Sequence, residues 1–226
     1  MKASDTARTT GILGLAMIVL VAAANALAPT SNLPGTGATS IEVMRYFGGH
    51  HNALREALYL YGAGFVVLVP FVSGLRDYLR SSEPDASVSN VGFAAGSVLA
   101  AVTLAALACF VVAVYRLAPR NPEIVSNFYD LGWAAVALSG FAAALCVGAF
   151  SFVIVTKGGL PSWSGWLGFA VGIAHLVSAA AFARNEGVLS LEGGIAVYVP
   201  LSLYLWLLVV SVLLLRAPRG AAAASG

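Results

Sequence analysis

The sequence predicts an all-α integral membrane protein: a bundle of six transmembrane helices with short loops and an interfacial helix ahead of the second span. Three observations carry this expectation. Of the 226 residues, 59% are apolar and only 10% charged, with a mean hydropathy of +0.87, whereas a soluble domain carries about 25% charged residues to clothe its surface. The charges are also absent from six windows: 9–41, 57–75, 86–115, 131–156, 158–183 and 193–215. Finally, these windows are apolar all round and approach or exceed the roughly 20 residues a helix needs to cross a hydrocarbon core. A barrel strand would instead show about 10 residues of apolar–polar alternation.

The spans are placed at about 11–28, 57–76, 91–115, 131–156, 163–183 and 195–215. Pro29 follows span one. The span begins after Lys2 and Arg8 and contains Ala24-Asn25-Ala26, a pattern also seen in cleaved signal peptides; five further spans make its retention the natural reading. The 29–56 connection is the longest. Its first half is turn-rich, and its second half places Ile41, Met44 and Phe47, then Leu54, Leu58 and Tyr61, at helical spacing. This predicts an amphipathic interfacial helix, broken at Gly48-Gly49, that runs into span two. Pro70 in span two and Pro200 in span six each remove a backbone hydrogen bond and are expected to kink their helices.

Pro119 follows span three. Asn121-Pro122-Glu123 reads as an N-cap, a first-turn proline and a first-turn acid, opening a short helix into span four. Gly158-Gly159 ends span four, and Pro161-Ser162 opens span five. The 217–226 tail is built of small residues and is expected to be disordered. The whole chain reads as one domain, and its two halves show no internal repeat of the kind that builds many transporters.

With six spans both termini share a side. If that side is cytoplasmic, seven Lys/Arg residues lie inside and five outside, so N-in, C-in is expected in a plasma membrane. Trp163, Trp166 and Lys157 would anchor the inner interface, and Tyr115, Tyr129 and Trp133 the outer one.

Several function classes are disfavoured. A net charge of +2 without a clustered basic patch gives no case for nucleic-acid binding. Two cysteines, Cys109 and Cys146, set at different depths, make no disulfide framework. There is no HExxH, GxSxG, P-loop, GxGxxG or CxxC motif, so no catalytic residues are assigned and the reading leans away from an enzyme. No span carries an acidic residue near its middle, against an ion-coupled pump.

A few residues remain as candidates. His175 is the only ionisable group deep in a span. It is either a structural histidine bonded to a neighbouring helix or a haem ligand or proton relay. His50 and His51 precede span two; adjacent histidines point about 100° apart, so they ligate one ion poorly, though His51 is kept as a remote haem partner. Asn25, Asp130 and Glu56 are possible polar-path or partner-contact residues. Asp130 could cap span four or pair with Arg116 or Arg120, and Glu192 has a similar edge position. Gly92-x-x-x-Gly96, Gly168-x-x-x-Gly172 and the alanines from Ala142 allow close helix approach within the bundle.

Other short motifs run through the chain: Gly159-Leu-Pro-Ser-Trp-Ser-Gly-Trp-Leu-Gly168, Phe128-Tyr-Asp-Leu-Gly-Trp133, Glu42-Val-Met-Arg-Tyr-Phe47, Leu75-Arg-Asp-Tyr-Leu-Arg80, and the closing run from Trp206 to Arg216. In these the chain resembles the small multispan bacterial proteins of domain-of-unknown-function family 4386. The resemblance implies a six-span bundle in a bacterial plasma membrane; it implies no activity and assigns no site residues.

The expected function is a non-enzymatic multi-pass membrane protein that binds lipid or a small apolar ligand, or serves as an accessory subunit. Its partners would be the lipid bilayer, a second copy or another membrane protein. No cofactor is expected under this reading. The alternatives are a small-solute transporter or channel, and a haem-binding redox protein using His175.

Overall fold

The computed structural model describes residues 3–29, 33–35, 37–115, 121–180 and 194–217. Six helices follow one another: α1 (Ala3–Leu27), α2 (Ser40–Leu79), α3 (Ser87–Tyr115), α4 (Pro122–Lys157), α5 (Ser162–Ala179) and α6 (Gly194–Arg216). No strand occurs among the described residues. Five of the helices are long and apolar enough to cross a membrane. The sixth, α5, has 18 residues, roughly 27 Å at 1.5 Å per residue. It lies alongside α4, because Gly165 faces Ser151 and Val155 while Gly172 faces Ala144 and Gly148.

Each helix packs on the next in sequence, and α6 returns to α1, so the six close a ring that α2 and α4 bridge. Neighbours run antiparallel. Gly64 meets Val21 and Gly74 meets Thr10 along α1–α2; Gly92 meets Phe150 and Gly132 meets Phe110 along α3–α4. Gly11 lies against Leu215, so the start of α1 and the end of α6 share one end of the bundle, here called the terminal end. The opposite end is the head end.

Met17, Leu68, Phe71, Phe150, Trp206 and Leu207 fill the middle, each less than 2% exposed. Small residues bring the helices this close. A methyl at Gly168 would overlap Ser151 Oγ and stand 2.6 Å from Trp206 Nε1; one at Gly96 would stand 2.9 Å from Val72. Both Gly-x-x-x-Gly pairs therefore pack within the bundle, as expected. Buried hydroxyls mostly turn back on their own helix: Thr10 donates to the Thr6 carbonyl at 2.7 Å and Ser211 to that of Leu207 at 2.6 Å. In apolar surroundings the carbonyl one turn back is the acceptor always within reach. Cys109 and Cys146 are both free thiols.

Several boundaries differ from expectation. α2 runs unbroken through Gly48-Gly49 for 40 residues, roughly 60 Å. Two helical glycines cost only about 1 kcal/mol each, and packing on both sides of them carries the helix through. Its buried stripe is Val43, Tyr46 and Phe47, while Ile41 is 57% exposed. The stripe is rotated because Tyr46 buries its ring and sends its hydroxyl to the Pro29 carbonyl at 2.5 Å. A capping box fixes the start: Thr39 Oγ1 accepts from the Glu42 amide, and the Glu42 carboxylate accepts from the Thr39 amide at 2.8 Å.

α4 is one helix of 36 residues rather than a short helix plus a span. Pro122 does occupy its first turn, but Asn121 makes no side-chain cap. At its other end Gly158 and Gly159 both take φ +90°, a region closed to most side chains, and so force the turn into α5. Pro70 and Pro200 both lie inside continuous helices.

α2 and α4 are thus much longer than the roughly 30 Å of a hydrocarbon core, and both extend at the head end. There Phe47, Phe110, Tyr129 and Trp133 stack edge to face, with ring centroids 5.7–6.2 Å apart, to form a second core with Val43, Val114 and Val125. Tyr129, expected as an interface anchor, is instead 4% exposed in this cluster. Trp163, Trp166 and Tyr115 are more than half exposed.

At the terminal end Glu83 holds the start of α3. Its carboxylate accepts from the amides of Val88 at 2.8 Å and Ser89 at 3.0 Å, and from the Ser89 hydroxyl. These amides have no partner within the helix. Nearby, Tyr78 donates to the Gly159 carbonyl at 2.9 Å and ties the end of α2 to the turn between α4 and α5.

Candidate ligand groove

The α2 segment that leaves the bundle core presents Asn52, Arg55, Glu56 and Tyr59 at i, i+3, i+4 and i+7, and therefore on one face. All four are exposed. They line an open groove of about 750 Å³ whose other walls are Leu27 at the end of α1, Leu58 and Leu60 on α2, and Val111 and Tyr115 on α3. The lining is sorted by height. Asn52, Arg55 and Glu56 lie toward the head; Leu58, Leu60 and Val111 lie deeper.

Tyr115 organises the cation. Arg55 donates from Nη2 to the Tyr115 hydroxyl at 3.1 Å, and its Cζ stands 5.0 Å from the ring centroid. A guanidinium held over an aromatic face keeps its remaining in-plane donors available to a second acceptor. Glu56, beside it, brings an acceptor-only carboxylate into the same groove.

The depth of the groove follows from α2. Tyr59 is 77% exposed, and Tyr78 lies 19 residues further along the helix, roughly 29 Å away. Tyrosine rings favour the interface on either side of a core about 30 Å thick; Tyr78 itself is half-buried. Arg55 and Glu56 lie about one turn nearer the head end than Tyr59.

The other candidates are distributed through the fold. His175 is 5% exposed, and its Nδ1 lies 3.0 Å from the Val171 carbonyl. A carbonyl only accepts, so Nδ1 carries the hydrogen and the contact is with its own helix rather than a neighbour. Since α5 ends at Ala179 rather than at the expected 183, His175 is about 6 Å from the helix end and less deep than the sequence suggests. His51 is half-buried on α2, and His50 Nδ1 lies 3.0 Å from the Tyr46 carbonyl. No group of three or more His, Cys, Asp or Glu side chains among the described residues could hold a metal ion.

Asn25 accepts from the Tyr61 hydroxyl at 2.8 Å and donates to the Val21 carbonyl at 2.9 Å, joining α1 to α2. Asp130 is exposed on α4, eight residues beyond its start, so it does not cap the helix. Arg116, Arg120, Pro119 and Glu192 lie outside the described residues, as does the tail beyond Ala217.

Of the expected site residues, only Glu56 lines the groove. Asn52, Arg55, Tyr59 and Tyr115 join it, and the sequence signal for the first three was their shared helical face. No family model matches this chain, and no curated protein or solved structure matches it either.

Proposed function

We propose that this chain is a non-enzymatic multi-pass membrane protein that binds an amphiphile in the groove between α1, α2 and α3. One observation carries the reading: the groove is polar toward the head end, at Asn52, Arg55 and Glu56, and apolar one turn nearer the core, where Leu58 and Leu60 flank the level of Tyr59 and Val111 lies a turn below Tyr115. A molecule with a polar head and an apolar tail matches that gradient; a small ion or a wholly apolar ligand matches half of it. The filled middle of the bundle, around Phe71, Phe150 and Trp206, favours binding at the surface over passage through the centre. The Lys/Arg distribution supports a cytoplasmic terminal end, and the quoted motifs support a bacterial plasma membrane.

The test is native mass spectrometry of the full chain purified in mild detergent. The reading expects a retained adduct of lipid mass, lost in Val111→Trp, which fills the floor of the groove. A bare chain, or an adduct indifferent to Val111→Trp, would refute it.

A further inference from the structure

We propose that the groove selects a zwitterionic aminophospholipid headgroup, with Arg55 and Asn52 binding the phosphate and Glu56 the primary ammonium. The proposal rests on the amphiphile reading above and adds the chemical class of the head.

The charges in the groove are one cation and one carboxylate on adjacent residues. Their side chains leave the helix about 100° apart, so they offer two separate poles to one ligand rather than a closed pair. A headgroup carrying only negative charge would satisfy Arg55 but face Glu56 across the same groove. Like charge against like disfavours it, and the low-dielectric edge of the bilayer strengthens that penalty. A zwitterion leaves neither charge unmatched.

The donor set separates the zwitterions. A primary ammonium has three N–H donors for the Glu56 carboxylate. A quaternary ammonium has none and is instead recognised by free aromatic faces. One Tyr115 face is already covered by the Arg55 guanidinium at 5.0 Å, which leaves Tyr59 as the one uncommitted ring lining the groove, short of the several faces that make an aromatic cage. Asn52, one turn from Arg55 and Glu56 on the same face, adds two amide donors for phosphate oxygens. At one turn beyond Tyr59, these groups stand at headgroup depth.

The experiment uses the full chain, delipidated in detergent and incubated with an equimolar mixture of phosphatidylethanolamine, phosphatidylcholine and phosphatidylglycerol of identical acyl chains. Bound lipid is counted by native mass spectrometry. Wild type is expected to carry phosphatidylethanolamine over each of the others by at least about fivefold. Glu56→Gln removes the preference over phosphatidylglycerol, and Arg55→Gln lowers all three. Both side chains are exposed, so unchanged melting temperatures verify that the variants are folded. Equal binding of the three lipids by wild type, or a preference that survives Glu56→Gln, overturns the headgroup assignment and leaves amphiphile binding standing. Absence of any bound lipid overturns both.

Discussion

The Tyr129 hydroxyl donates a 2.6 Å hydrogen bond to the carbonyl of Pro34, 95 residues earlier in the chain. Tyr46 does the same for Pro29 at 2.5 Å. Two tyrosines of the head-end aromatic core therefore clasp the connection between α1 and α2 from below. Each keeps its ring in the core and spends its hydroxyl on a backbone carbonyl of this proline- and glycine-rich strap.

Removing the hydroxyl while keeping the ring isolates this clasp. Tyr129→Phe is expected to cost about 1 kcal/mol, and Tyr46→Phe a similar amount, with faster limited proteolysis in the 29–39 connection. Melting curves and mapping of the first cleavage site measure both. Unchanged cleavage in the double variant would show that the hydroxyls do not hold the connection.

Acid should act through Glu83. Burial pushes its carboxyl pKa up, but hydrogen bonds from Ser89, Val88 and Ser87 outweigh that and hold it below the ordinary value of 4.5. A carboxylate with a depressed folded-state pKa stabilises fully above its unfolded value, and that contribution is lost as pH falls through the folded value. Wild type should thus be more stable than Glu83→Gln at neutral pH, and the gap should close as pH falls below about 4.5. Thermal melts of the two proteins across pH 3–7 read the gap directly. A gap that stays constant with pH would remove the charge from the explanation.

Close packing of α4 on α5 gives a paired test. A methyl at Gly168 would overlap Ser151 Oγ, whereas one at Gly148 would meet nothing within 4 Å. Gly168→Ala should cost about 1–3 kcal/mol, part of it recovered by Ser151→Ala. Gly148→Ala should be neutral or stabilising by up to about 1 kcal/mol, from reduced backbone entropy in the unfolded state. Equal effects at the two glycines in a thermal melt would argue against the contact.

Charge absence made the spans legible in the sequence, because an ionised side chain facing hydrocarbon is too costly to appear there by accident. The ends were harder to read. Gly48-Gly49 reads as a break, yet α2 continues because Val43, Tyr46 and Phe47 find partners on α4 and in the strap, and tertiary packing overrides the local penalty. Thr39-Ser40-Ile41-Glu42 carries the capping-box spacing and marks the true start of α2. Glu83 was not legible as a cap, since it lies four residues ahead of the first residue of α3 and reaches forward across a turn whose Ala86 has a positive φ of 48°. The groove was half legible. Asn52, Arg55, Glu56 and Tyr59 share a face in the sequence itself, but the pairing of Arg55 with Tyr115, 60 residues away, needs the fold.

The proposed binding mode requires α2 to cross an interface near Tyr59, with Arg55 and Glu56 at headgroup depth. Spin labels placed singly at the exposed positions Asn52, Glu56, Tyr59, Val66 and Val69, with Cys109 and Cys146 replaced by Ala, report depth in a bilayer through their relative accessibility to oxygen and to a water-soluble nickel complex. Water-phase accessibility is expected at 52 and 56, a crossover near 59, and the greatest oxygen preference at 69, roughly 15 Å below Tyr59. A label at 52 or 56 as deep as one at 66, or a label at 69 open to the nickel complex, would contradict it.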